Sequence, residues 1–173
     1  MYLKLIGSLL VLVSSTAIGF LKADELKIRV KRLQGLKQMM NLLQGELRFR
    51  RSELSEAFLN VSDRVEEPFQ GFLKTVAEEL KGYQPQSFES LWNCAVGKLL
   101  LTEGFLKKDI QLLEILGNGL GYLDLAMQTE ILNQAQIRTE EEILEAKKQQ
   151  ESKGKLYQTM GITAGAFLML LIV

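Results

Sequence analysis

All charge in this chain except Lys4 lies between residues 22 and 155. Residues 5–21 and 156–173 carry none. As helices rising 1.5 Å per residue, these runs span about 26 and 27 Å. That approaches the ~30 Å hydrocarbon thickness of a bilayer. The division predicts a transmembrane helix at 1–21, a charged middle domain at 22–155 and a second transmembrane helix at 156–173.

The first run admits two readings. A signal peptide would use Lys4 as its basic end and Ser15-Thr16-Ala17 as a small-x-small cleavage site. A retained anchor is favoured by the downstream charges: Lys22, Lys27, Arg29, Lys31, Arg32 and Lys37, against only Asp24 and Glu25 nearby. Basic residues beside a membrane segment stay on the cytoplasmic side. Lys147, Lys148, Lys153 and Lys155 precede the last run, and Tyr157 suits the headgroup level. Both flanks therefore predict a cytoplasmic middle domain. Gly161 and Gly165 form a small-xxx-small pair, which permits close helix approach in lipid. The motif is short and common, so incidental glycines in a generic span are expected.

The middle reads as helical throughout. Leu26, Val30, Leu33, Leu36, Met40, Leu43 and Leu47 recur at steps of three and four, which predicts one helix from 23 to about 51. A short helix is expected from Leu54 to Val61, with Ser52 as its cap and a loop at Val61-Ser62-Asp63-Arg64. Glu67-Pro68 opens the next, since proline is tolerated in a first turn, and Gly82 stops it. Tyr83-Gln-Pro-Gln86 reads as a turn, and Ser87 caps a helix carrying Phe88, Leu91, Trp92, Ala95, Leu99 and Leu100. Cys94, the single cysteine, is expected to be a buried thiol. Thr102-Glu103-Gly104 is a weak break. Asp109–Leu116 is helical, with Ile110, Leu113 and Leu116 inward. Gly117-Asn-Gly-Leu-Gly121 reads as the clearest break, because three glycines in five residues permit positive φ. A helix of 45–50 residues then runs from about Asp124 into the last span, with Leu125, Gln128, Leu132, Ala135 and Ile137 on a mixed face. Glu140, Glu141 and Glu142 read as a solvated patch.

No catalytic signature is present. There is no histidine, so Ser-His-Asp and Cys-His arrangements are excluded. The glycines at 117–121 lack the Lys-Ser/Thr and the βαβ context of a phosphate loop. Net charge is zero, from 21 basic and 21 acidic residues, which gives no broad electrostatic basis for nucleic-acid binding. A calcium site would need carboxylates such as Glu46, Glu53, Glu56 and Asp124 to converge. Solvated faces and helix caps are expected instead, so no metal, cofactor or catalytic residues are assigned.

Four pieces of the chain carry a family resemblance over nearly its whole length. They are the N-terminal span with its basic helix, Glu46-Leu-Arg-Phe-Arg-Arg-Ser-Glu-Leu-Ser-Glu-Ala-Phe58, Leu116-Gly-Asn-Gly-Leu-Gly-Tyr-Leu-Asp-Leu-Ala-Met-Gln128, and Lys153-Gly-Lys-Leu-Tyr157. The third matches a Leu-Gly-x-x-Leu-Gly-x-x-Asp-x-x-x-Gln pattern. Together they resemble the stage III sporulation protein AB family. In the second piece, Phe49 stands where the family pattern has tyrosine and Glu53 where it has proline.

The resemblance implies an all-α helical bundle similar to the cytoplasmic domain of type II secretion F-type platform proteins. It implies a non-enzymatic adaptor in a transenvelope channel between mother cell and forespore, anchored on the mother-cell side in the outer forespore membrane. A secretion-type ATPase and other channel subunits would be its partners. Candidate partner-binding residues on this reading are Glu46, Glu56, Gly117, Gly121, Asp124 and Gln128. The alternative is a stand-alone membrane-tethered organiser without an ATPase, which would form homo-oligomers through the first and last helices.

Overall fold

The computed structural model describes residues 2–50, 53–82, 87–102, 104–121 and 124–172, with side chains from Gly7 to Leu171 within those ranges. The expected cap at Ser52, the Tyr83–Gln86 turn and Glu103 of the Thr102–Gly104 break lie outside the described residues. The described residues form six α-helices and one π-helical turn. These are α1 (Tyr2–Gly45), the π-turn (Glu46–Arg50), α2 (Leu54–Ser62), α3 (Phe69–Lys81), α4 (Phe88–Leu99), α5 (Lys107–Leu120) and α6 (Leu125–Ile172). The all-α expectation holds, and α6 has 48 residues.

Two compact units divide the chain, and α1 and α6 contribute residues to both. Unit 2 spans Lys31–Leu144. Within it, α1 and α6 run antiparallel, with an ion pair from Lys37 to Glu140 and a hydrogen bond from Gln136 Nε2 to Gln44 Oε1 at 3.3 Å. The periodic stripe of α1 points inward as its spacing dictates: Leu33, Leu36, Met40 and Leu43 are all buried, and Leu47 continues the line into the π-turn. The shorter helices complete the core. Trp92 lies at its centre, fully buried, with its ring edge-on to Phe72 at 4.9 Å and tilted against Phe58 and Phe88, each at 5.7 Å.

Most helix ends follow sequence chemistry. Ser87 Oγ accepts from the Ser90 backbone N–H at 3.3 Å, which caps α4 as expected. Asp109 Oδ2 accepts from the Leu106 N–H at 2.9 Å and satisfies a free donor at the start of α5. Other expectations are corrected. The capping position of α2 is Glu53, whose side chain makes no capping bond, and the helix continues through Ser62. Gly82 ends α3 in an extended conformation, so its left-handed freedom is not used. Gly104, in the break read as weak, takes a positive φ, 93°.

The largest correction concerns the glycine cluster. Gly117 and Gly119 lie inside α5, not in a turn. A Cβ on Gly117 would fall 2.0 Å from Trp92 Cδ1, and one on Gly119 would fall 2.4 Å from Ile131. These glycines are seats for large neighbours. Three glycines resemble a chain reversal because glycine permits both uses. Trp92 Nε1 donates to the Leu113 carbonyl at 2.7 Å, one turn before Gly117, so ring and seat are fixed together.

Three smaller corrections follow from helical periodicity and from ion pairs between helices. Cys94 is exposed, because the buried positions of α4 are 91, 92, 95, 96 and 99 and position 94 falls off that stripe. Ile137 is exposed, since the buried line of α6 runs through Leu132, Ala135, Thr139 and Ile143. The acidic triplet is not uniformly solvated: Glu140 pairs with Lys37, and Glu142 with Lys108 at 2.7 Å.

Unit 1 comprises Met1–Val30 and Glu145–Val173. Its two helical segments pack antiparallel through small residues. A Cβ on Gly161 would lie 2.9 Å from the Ser15 carbonyl oxygen and 3.0 Å from Gly19 Cα. One on Gly165 would lie 3.2 Å from Leu12 Cα. Ser15 Oγ donates to the Gly161 carbonyl at 2.8 Å. The glycine pair is therefore a seam within the chain and not incidental. Among the described residues no helix is long and apolar enough to cross a membrane. The described side chains cover only 7–21 and 156–171 of the two uncharged runs, about 22 and 24 Å of helix.

Gly117 and Gly97 give opposite expectations. Gly117→Ala forces the indole out of its seat and should destabilise by about 1–3 kcal/mol, the range for overpacking a filled core. Gly97 is helical, and an added methyl there would meet nothing within 4 Å, so Gly97→Ala should stabilise by about 0.5–1 kcal/mol. Unfolding followed by the emission of the single tryptophan measures both. Equal stability of the two variants would refute the seat.

Candidate functional site: a groove beside an exposed aromatic

The end of α1 does not simply stop. It widens into the π-turn at Glu46–Arg50, and such turns re-aim the side chains they carry. Glu46 is buried, with 4% of its side chain exposed. Its carboxylate accepts from Asn60 Nδ2 at 3.2 Å and faces Arg50 Nη1 at 3.4 Å and Arg64 Nη1 at 3.5 Å. A carboxylate taken out of water needs such partners. Here they come from the π-turn itself, from α2 and from the turn after α2, so the residue clasps these pieces together. The outward product is Phe49, 81% exposed, with the Arg48 guanidinium carbon 5.7 Å from its ring centre.

The start of α6 is built with equal economy. Asp124 Oδ2 accepts from the Met127 N–H at 3.1 Å, which is the N-cap role that a short acidic side chain suits. Gln128 Nε2 donates to the Leu120 carbonyl at 2.8 Å and so closes the C-terminal end of α5. Gly121 lies between, with φ of −69°, and a Cβ there would stand 3.2 Å from Phe88 Cδ1.

These two constructions meet. A groove of about 820 Å³ runs between the end of α1 and the start of α6, lined by Gln44 and Arg48 on one side and by Asp124, Thr129, Glu130 and Asn133 on the other. Its charge is mixed, one guanidinium against two carboxylates. Amide and hydroxyl groups and the apolar side chains of Leu125 and Ala126 complete the lining. That mixture suits the backbone and side chains of a polypeptide. It does not suit a phosphate, which the two carboxylates would repel.

The six sequence candidates separate on this geometry. Asp124 lines the groove, and Gln128 closes the turn beside it. Glu46 lies beneath the surface as the clasp that sets the π-turn. Gly117 is buried under Trp92, and Gly121 packs near Phe88. Glu56 is exposed on α2 and does not line the groove. No three acidic or cysteine side chains come together as metal ligands among the described residues. Arg48, Gln44 and Asn133 were not among the sequence candidates. For Arg48 a signal existed: an aromatic enclosed by arginines, Arg48-Phe49-Arg50-Arg51, ends a long amphipathic stripe. For Gln44 and Asn133 none existed, since single amides carry no pattern.

The model of the family described as Stage III sporulation protein AB matches residues 4–173, and the chain belongs to that family. It is similar to the Stage III sporulation protein AB of Bacillus subtilis (strain 168), 24% identical over 171 residues, which covers 98% of this chain and 99% of that protein. A solved structure titled Stage III sporulation protein AB superposes with a TM-score of 0.66 at 18% identity, covering 72% of this chain and 98% of the other. The likeness to that structure supports the helical fold.

The clasp and the aromatic make separate expectations. Glu46→Ala leaves Asn60, Arg50 and Arg64 without their shared acceptor and should lower stability by about 1–3 kcal/mol. Phe49→Ala removes an exposed ring and should change stability by no more than about 0.5 kcal/mol. Denaturant midpoints at constant slope would show both. A Glu46→Ala variant as stable as the parent would mean that the carboxylate holds nothing.

Proposed function

We propose that this chain is an adaptor subunit of the sporulation transenvelope complex between mother cell and forespore, and that its helical domain is the platform a secretion-type ATPase engages. The observation that carries the reading is the groove itself. The two internal motifs of the family resemblance start 70 residues apart, at Glu46 and Leu116, and they converge there through Arg48 and Asp124. Phe49 beside it is the kind of exposed aromatic that anchors protein interfaces.

The same reading keeps residues 1–21 and 156–173 as membrane anchors, with 22–155 on the cytoplasmic, mother-cell side of the outer forespore membrane. Charge distribution supports this. So does the packing of unit 1, which is inverted relative to a water-soluble pair. Small residues form its seam, while Leu9, Leu10, Val13, Ile18, Phe167 and Leu170 point outward. Helices in lipid pack in this way because hydrocarbon provides no hydrophobic drive between them. The organiser reading needs self-association through the first and last helices. Gly161 and Gly165 are already occupied by the chain's own α1, which weighs against it.

The test is binding of the full chain in detergent to the secretion-type ATPase of the same complex, with and without ATP. Arg48→Glu and Phe49→Ala should each weaken binding by at least about fivefold, the threshold for an interface anchor. Asp124→Asn tests charge alone, because asparagine caps a helix as well as aspartate does, whereas Asp124→Ala also costs about 1 kcal/mol of helix stability. No binding of the parent chain at tens of micromolar would sink the platform reading. Full binding by Arg48→Glu and Phe49→Ala would move the contact to another face.

A further inference from the structure

A second groove of unit 2 has different chemistry. It lies between α5 and α6, holds about 230 Å³, and is floored by Ile115 and Gly119 from α5 and by Met127 and Ile131 from α6. Ile115 and Met127 remain 45% and 43% exposed. Arg138 stands at one end, exposed, with no ion pair among the described residues, and no carboxylate lines the groove. The amides of Asn118 and Gln134 complete the lining.

Its dimensions select the occupant. The volume is below the roughly 300–1,000 Å³ of small-molecule sites, and it fits one or two inserted side chains. From Met127 to Arg138 the groove follows α6 for eleven residues, about 16 Å or three turns. Two packed antiparallel helices with an apolar valley between them offer ridges for a third helix. Anchors at i, i+3 or i+4, and i+7 would fall along this valley. Charge complementarity then places a carboxylate opposite Arg138. A bilayer surface fits poorly. Glu130 accepts from Gln134 Nε2 at 3.0 Å at the groove's edge, and its carboxylate would oppose anionic headgroups.

We propose that the α5–α6 groove seats an amphipathic helix of another protein subunit, with its apolar anchors over Ile115 and Met127 and a carboxylate on Arg138. This surface is distinct from the Arg48–Asp124 groove and does not depend on an ATPase partner.

The probe is a photoreactive benzophenone side chain placed at Met127 of the full chain in sporulating cells, with the crosslinked peptide sequenced by mass spectrometry. The expected adduct is a helical segment of a different protein with an acidic residue within two turns of the crosslink. Arg138→Glu should lower its yield by about fivefold, as an exposed charge pair warrants. Reversing the partner's acid to lysine should restore that yield. Unchanged protein level and Trp92 emission would show that Arg138→Glu still folds. An adduct with a second copy of this chain, with lipid, or with a segment lacking an acid would overturn the proposal. So would no adduct, or a yield indifferent to Arg138→Glu.

Discussion

The core of the helical domain depends on one contact, the indole of Trp92 lying on the bare backbone of Gly117. A tryptophan buries a large apolar surface but carries an N–H that must find an acceptor. Here the acceptor is the Leu113 carbonyl, one helical turn from the glycine that makes room for the ring. The contact fixes α4 on α5 in both position and rotation. Phe58, Phe72 and Phe88 then pack around the same ring, which brings α2 and α3 into the one core.

From that arrangement the groove follows. With α5 held by Trp92, its C-terminal end is closed by Gln128, and Asp124 starts α6 at a set place. On the other side, Glu46 holds the π-turn to α2 and to the turn beyond it. The residues that look most functional in the sequence are thus split between two jobs. Some build the surface from below, and others stand on it. Charged residues beneath a surface are costly unless partnered, which is why Glu46 has three partners.

The two units obey opposite packing rules. Unit 2 hides its large apolar side chains and exposes charge, the arrangement that water enforces. Unit 1 hides glycine and serine and turns leucine, valine and phenylalanine outward.

The helices and most of their inward faces are legible in the order of residues alone. Leu33, Leu36, Met40 and Leu43, or Ile110, Leu113 and Leu116, are buried where a period of 3.6 puts them, because that geometry is local. The same period excludes Cys94 from the core, although an apolar neighbourhood argues otherwise. Ser87 and Asp124 are legible as caps, since capping is also local. Packing between helices was needed to make Gly117 and Gly119 seats and not a turn, because glycine serves either purpose and the ring that needs the space lies far away in sequence. Packing also paired Glu140 and Glu142 with lysines of other helices. It brought Arg48 to Asp124, a meeting set by how helices dock and not by any spacing along the chain.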